Sequence, residues 1–234
     1  MFVDIPGTYS IMSNSEEEEI ARDYICFGNP DATIVVVDAT CLERNLNLLF
    51  QIMEITDNVI LCVNLLDEAK KKKIKIDLKK LSTLLGIPVV GTVARNKKTL
   101  DVLLNTVVQV CEKKFQYSTN IVSYSPIIED AISDLCSELK NQFVLPENLY
   151  RWIALKILDG ENSIIKSIEQ NLNINIINND SINLKKQEIF NNLYKENITN
   201  SNFKDKIVSC IMDKAKNICN QVCIFENKNY TRKR

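Results

Sequence analysis

Three short stretches of this chain bring together groups that could grip a ligand. Asn64 and Asp67 stand as N-x-x-D directly after Val59–Val63, a run of five apolar residues. Such a run reads as a short strand buried on both faces of a parallel sheet, and open α/β sheets bind ligands at their carboxyl edge. A carboxylate held there can accept two parallel hydrogen bonds from a ring N–H and an adjacent amino group, the edge that guanine presents. The Asn64 amide can tie neighbouring loops beneath such a base, with Leu65 and Leu66 running between the two polar residues. Near the start, Phe2-Val3 leads into Asp4-Ile5-Pro6-Gly7, a D-x-x-G in which Asp4 could hold a Mg²⁺-bound water. Gly7, lacking a side chain, would let its backbone N–H approach a terminal phosphate. Pro88–Arg95 is a third such stretch, expected as a strand ending in Thr92, Val93 and Ala94, where a backbone N–H could meet a purine carbonyl. N-x-x-D alone has two fixed letters and suits a polar loop equally well; its company carries the reading.

Asp4 and Asn64 lie 60 residues apart, and Asn64 and Ala94 lie 30 apart. That is the order and spacing of the third, fourth and fifth motifs of a GTP-binding domain. Asp4–Ser10 (DIPGTYS), Ser15–Tyr24 (SEEEEIARDY), Val37–Leu46 (VDATCLERNL), Asn64–Ala69 (NLLDEA) and Leu84–Val89 (LLGIPV) together resemble the cytosolic domain of the ferrous iron transport protein B family. The likeness is dense over Met1–Phe115 and thinner beyond, where Arg151–Leu158 (RWIALKIL) resembles that family's helical domain. The resemblance implies a protein that binds GTP or GDP with Mg²⁺, hydrolyses GTP slowly, and couples the cycle to a downstream membrane pore carrying Fe²⁺. It implies that Asp4 and Gly7 sense Mg²⁺ and the terminal phosphate, Asn64 and Asp67 read guanine, and Ala94 meets its carbonyl. It also implies a place in the cytoplasm, at the inner face of the membrane. A receiver or flavin domain would explain neither motif spacing.

Alternating elements must position these residues. Met1–Ile5 is expected as a strand, followed by a loop over Pro6–Ser13. Ser15 with Glu18 matches a capping box, and the acidic run Glu16–Glu19 suits the amino end of a helix reaching Phe27, where Gly28-Asn29-Pro30 stops it. Thr33–Asp38 reads as a second buried strand and Leu42–Ile55 as a helix with Leu42, Leu46, Leu49, Ile52 and Met53 inward. Glu68–Lys75 reads as a basic loop, Asp77–Leu85 as a short helix, and Thr99–Phe115 as a helix burying Leu100, Leu103, Leu104, Val107, Val108 and Cys111. Beyond Tyr117, Ser118–Pro126 is expected as a linker. Helices follow at Ile127–Asn141, Asn148–Asp159, Ser163–Leu172, Leu184–Tyr194 and Asp205–Cys223. The fold class is α/β: an incomplete P-loop GTPase-like, doubly wound parallel sheet over 1–117, then a small all-α helical domain over 127–225 and a basic tail over 226–234.

Composition narrows the chemistry. The 234 residues are 45% hydrophobic and 25% charged with net charge −1, which favours neither nucleic acid nor an anionic membrane surface. Histidine is absent, so no His-based triad or mixed Cys/His zinc site exists. The eight cysteines are scattered without C-x-x-C and read as buried thiols; Cys219 and Cys223, one helical turn apart, could take a soft metal.

The phosphate-binding loop G-x-x-x-x-G-K-S/T does not occur: the five glycines, at 7, 28, 86, 91 and 160, never precede Lys-Ser or Lys-Thr. An upstream segment is expected to carry that loop together with the strand that normally lies between those at Phe2–Ile5 and Thr33–Val37. Without it, a gap or direct pairing of the two is expected. The alternative function is a nucleotide-free interaction module or a remnant without activity of its own.

Overall fold

A computed structural model describes residues 1–8, 10–11, 15–115 and 122–225. Three parallel strands form the first sheet in the order β1 (Thr33–Asp38), β2 (Val59–Asn64), β4 (Val89–Gly91). β2 is central and its five apolar residues are all buried, as a strand covered on both faces requires. Helices alternate with the strands: α1 (Glu16–Phe27), α2 (Leu42–Met53), α3 (Leu66–Lys71), α4 (Leu78–Leu85) and α5 (Lys97–Cys111). Ser15 caps α1 by accepting the Glu18 N–H at 3.3 Å, and the inward stripe expected for α2 is buried.

Five α-helices follow: α6 (Pro126–Gln142), α7 (Leu149–Asp159), α8 (Asn162–Leu172), α9 (Asp180–Leu193) and α10 (Phe203–Val222). α10 packs on α2 and α4, so sheet and helical part share one continuous core from Ile11 to Val222. A buried polar joint crosses this boundary. Glu54, at the end of α2, accepts hydrogen bonds from Tyr124 (3.1 Å) and Arg151 (3.1 Å), and Arg151 also grips Glu129 at 2.7 and 3.0 Å. Burial pushes the Glu54 carboxyl up against the pull of Arg151; burial of Glu129 is outweighed by its hydrogen bonds from Arg151, which hold it low. The linker expected over 118–126 is described from Val122 onward, where Val122 and Tyr124 are buried. Its first part and the tail over 226–234 lie outside the described residues.

Five expectations need correction. Met1–Ile5 forms no strand: among the described residues β1 pairs with β2 alone, and the amino-terminal stretch stands too far from its free edge to hydrogen-bond to it. Between them lies a cleft of about 590 Å³ lined by Phe2, Val3, Ile34, Leu104, Val107 and Cys111 among others; the gap, rather than direct pairing, is what forms. For the same reason β1 is not buried on both faces, with Val36 58% exposed, and the expected inward stripe of α5 is open, with Leu104 46% and Val108 53% exposed. The basic loop at Glu68–Lys75 is instead the end of α3 and a strand, β3 (Ile74–Ile76). In α3 the acidic residues Asp67 and Glu68 sit in the first turn and Lys70 and Lys71 in the last, matching the helix dipole. β3 pairs antiparallel with β5 (Cys223–Phe225), so Cys223 ends the helical part as a strand residue facing Ile76. Lastly, the strand expected through Ala94 stops at Gly91.

Candidate functional site

Asn64 is the last residue of β2, held at the sheet's carboxyl edge by the buried run before it. Its Oδ1 accepts from Thr92 Oγ1 (3.1 Å) and from the Ala94 backbone N–H (3.2 Å), tying the β4 loop to β2. The Thr92 N–H continues the ladder to Val63 O at 2.8 Å, and Leu66 N–H reaches Thr92 O at 3.3 Å. Thr92 is buried, with its hydroxyl also 3.3 Å from Cys62 Sγ. The sequence stretches around Asn64 and Ala94 therefore converge, and the amide lies beneath the loop as its chemistry suggested.

Leu65 adopts φ 62°, ψ 32°, the left-handed region that a branched side chain avoids at about 1–2 kcal/mol. This turn lets α3 start at once and sets Asp67 in its first turn. Asp67 is partly buried. Its Oδ2 is ion-paired with Arg95, while its Oδ1 is buried without a hydrogen-bond partner. Arg95 reaches Asp67 through one guanidinium nitrogen, so it occupies one of the two carboxylate oxygens and leaves the other open. The orphaned Oδ1 is the acceptor that the base would satisfy. The residues present thus fit a guanine.

Arg95 and two further residues escaped the sequence reading. Thr99, on the first turns of α5, clamps Val93: its hydroxyl accepts from Val93 N–H and donates to Val93 O, both at 3.1 Å. Gly91 leaves room that no side chain could share, since a Cβ there would lie 2.5 Å from both Leu66 and Leu78 methyls. Asn96, whose side chain caps α5 through the Lys98 N–H at 3.2 Å, was the only local signal for this corner.

Beside Asn64 and Leu65 opens a cleft of about 320 Å³ whose walls include Asp38, Cys41 and Arg44. The other candidate residues are not drawn to this corner. Asp4 and Gly7 are exposed, Ile5 and Pro6 half-buried, and no hydrogen bond or ion pair joins them to Asn64, Asp67 or Thr92–Ala94 among the described residues. After this stretch the chain is fastened to α2, where Gln51 Oε1 accepts from Ser10 Oγ (3.0 Å) and Ile11 N–H (2.9 Å). Among the described residues no group of three or more Cys, Asp or Glu is placed to hold a metal ion, and no helix is long and apolar enough to cross a membrane.

A parallel sheet with flanking helices, followed by a helical companion, has the architecture of a GTP-binding-domain fold of the P-loop class. Solved structures agree. The mGMPPNP-bound NFeoB from S. thermophilus superposes with a TM-score of 0.75 at 26% identity, covering 98% of this chain and 80% of that one. The cytosolic domain of the T. maritima FeoB iron transporter in a GDP form gives 0.71 at 27%, covering 94% and 79%. The sequence model described as "Ferrous iron transport protein B" matches residues 1–107, and that described as "FeoB cytosolic helical domain" matches 124–224. The chain belongs to the ferrous iron transport protein B family, of which it carries the cytosolic G domain and helical domain. Among curated relatives, the Fe(2+) transport protein A/Fe(2+) transporter FeoB fusion protein of Porphyromonas gingivalis is 38% identical over 165 residues, 69% of this chain. The Fe(2+) transporter FeoB of Salmonella typhimurium is 35% identical over 164 residues, 68% of this chain. The matched stretch spans about a fifth of either relative's length.

Proposed function

We propose that this chain reads guanine for the GTP-dependent control of Fe²⁺ uptake, its nucleotide state being passed to a membrane pore domain downstream. The observation that carries the reading is the corner built by Asn64, which fastens Thr92 and Ala94 while leaving Asp67 Oδ1 buried and unpartnered. Leu65, Leu66 and Val93 form the walls of this base site. Asp67 receives the ring N–H and amino group once Arg95 turns away, and the Ala94 N–H meets the carbonyl. Bound GTP–Mg²⁺ supplies the transferable phosphoryl group. In the completed domain Asp4, with Ile5 and Pro6 shaping its loop, would serve the Mg²⁺ that neutralises the phosphates, and Gly7 would leave room for the terminal phosphate.

Completion is part of the proposal. A segment carrying the phosphate loop inserts as a parallel strand on the open edge of β1, between Phe2–Ile5 and Thr33–Val37, and fills the 590 Å³ cleft. The apolar walls of that cleft and the unpaired edge support this. Residues 1–117 then form the G domain, 118–126 the link, 127–225 the helical domain and 226–234 a basic tail. For the chain without that segment, the open cleft favours a second reading as a nucleotide-free interaction module.

The test restores the segment, fused or in trans, and compares nucleotides by calorimetry. Adenine presents no ring N–H to Asp67, so GTP should be preferred over ATP by up to about 10⁴-fold, the scale such paired sites reach. Asp67→Asn exchanges an acceptor for a donor, which suits xanthine, where a carbonyl replaces the amino group. The variant should weaken GTP and strengthen XTP binding. Equal loss of both, with an unchanged circular dichroism spectrum, would remove Asp67 from base recognition.

A further inference from the structure

Where the helical part returns to the sheet, two cysteines meet at the rim of the core, Cys219 buried in it and Cys223 packed against it. Cys219 lies in the last turn of α10 and Cys223 is its C-cap residue, and the Cys223 N–H donates to Cys219 O. Residues four apart on a helix hold their Cα atoms about 6.2 Å apart from pitch and radius alone. Disulfides span roughly 4.4–6.8 Å between Cα atoms. Cys223 has left helical geometry, with φ −98° and ψ 125°, so its side chain is not bound to the helical direction that would keep the sulfurs apart. The two thiols are hydrogen-bonded to each other, and both line a cleft of about 450 Å³, wide enough to admit a small molecule. None of the eight cysteines is in a disulfide.

We propose that Cys219 and Cys223 form a thiol–disulfide exchange site that closes to an intramolecular disulfide with a low-molecular-weight disulfide as oxidant. The Cys223 thiolate attacks one sulfur of the small disulfide, forming a mixed disulfide and expelling one small thiolate. Cys219 then gives up its proton to solvent and attacks the Cys223 sulfur, expelling the second. Two protein thiols are oxidised, and one small disulfide is reduced to two thiols. Cys223 is the first nucleophile: the Cys219 hydrogen bond lowers its pKa from the usual thiol value, against burial, the nearby Glu43 carboxylate and the carboxyl end of α10. Cys26 and Cys62 are pushed the other way by burial and stay inert. Cys223 faces Ile76 across the β3–β5 ladder, so the site sits on the tie between the helical part and the segment that follows α3.

The experiment treats the whole folded chain with oxidised glutathione, alkylates the remaining thiols with iodoacetamide, and maps peptides by mass spectrometry. The peptide bearing Cys219 and Cys223 should lose two hydrogens and take no alkyl group, ahead of every other cysteine. In Cys219→Ser the reaction should stop at a glutathione adduct on Cys223. With a chromogenic aromatic disulfide, Cys223 should react before Cys26 and Cys62, whose thiols burial keeps protonated and out of reach. Two alkyl groups on the peptide, a persistent glutathione adduct in the unsubstituted chain, or a link from Cys223 to Cys41 in the same cleft would each overturn the proposal.

Discussion

Leu65 shows at the scale of one residue how the site stores strain. Its left-handed backbone is held by β2 on one side and α3 on the other, and it sets Asp67 in the first turn of α3, where Arg95 pairs with it. Glycine adopts this conformation without penalty, so Leu65→Gly should raise unfolding free energy by about 1 kcal/mol, read from urea denaturation. In the completed domain the same variant should bind guanine nucleotide less tightly, because the apolar wall beside Asn64 is lost. A variant that is less stable would mean that Leu65's packing outweighs its strain. The N-x-x-D letters were legible in the sequence, yet the strain was not: it follows from how strand and helix meet at this turn.

At the scale of elements, the joint between α2, α6 and α7 is where the two halves are fixed to each other. Removing Arg151 would leave Glu54 buried with Tyr124 as its remaining partner, and breaking such a pair typically costs about 3–5 kcal/mol. The pH dependence has a definite sign. Glu54's folded-state pKa is already raised and rises further in Arg151→Met; that penalty is full above the folded value and gone below the unfolded one. Glu129's folded-state pKa is lowered by Arg151, so its stabilisation is present above the unfolded value and fades as pH falls through the folded one. Glu54 makes the variant's deficit shrink as pH falls from its raised folded-state value towards the unfolded one, and Glu129 removes a further part only below the unfolded value. Urea midpoints for both proteins across this range check it; a deficit that grows on acidification would contradict the assignment. The sequence marked α2, α6 and α7 by their periodicity, but pairing Glu54 with a residue 97 positions later needed the packed fold.

For the molecule as a whole, the open edge of β1 is the dominant feature. Phe2, Leu104 and Val108 line the cleft beside it and stay 46–71% exposed, so covering them gains part of the roughly 1.5–3 kcal/mol that full burial brings each. Adding the phosphate-loop segment should therefore raise the thermal midpoint even without nucleotide, as measured by calorimetry. Alone, the chain should show no measurable GTP turnover, because positioning and electrostatic stabilisation of the phosphates is most of phosphoryl-transfer catalysis. Sustained phosphate release abolished by Asp4→Ala would refute this. The base corner by itself offers a few hydrogen bonds at about 0.5–1.5 kcal/mol each, against the roughly −8 kcal/mol that micromolar binding needs. What the sequence determined by itself is what local pattern can encode. Apolar runs gave the central strand, 3.6-residue stripes and caps gave most helices, and the spacing of Asp4, Asn64 and Ala94 identified the motifs. Tertiary structure alone decided the rest. Whether Met1–Ile5 and β1 are strands buried on both faces depends on a neighbour, because a strand's backbone groups are satisfied only by pairing. The β3–β5 pair joins residues about 150 positions apart, each too short to announce itself. Arg95 on Asp67 and Thr99 on Val93 are side-chain meetings set by where elements end, which no residue period encodes; for Cys219 and Cys223 the four-residue spacing was legible, but the non-helical cap at Cys223 was not.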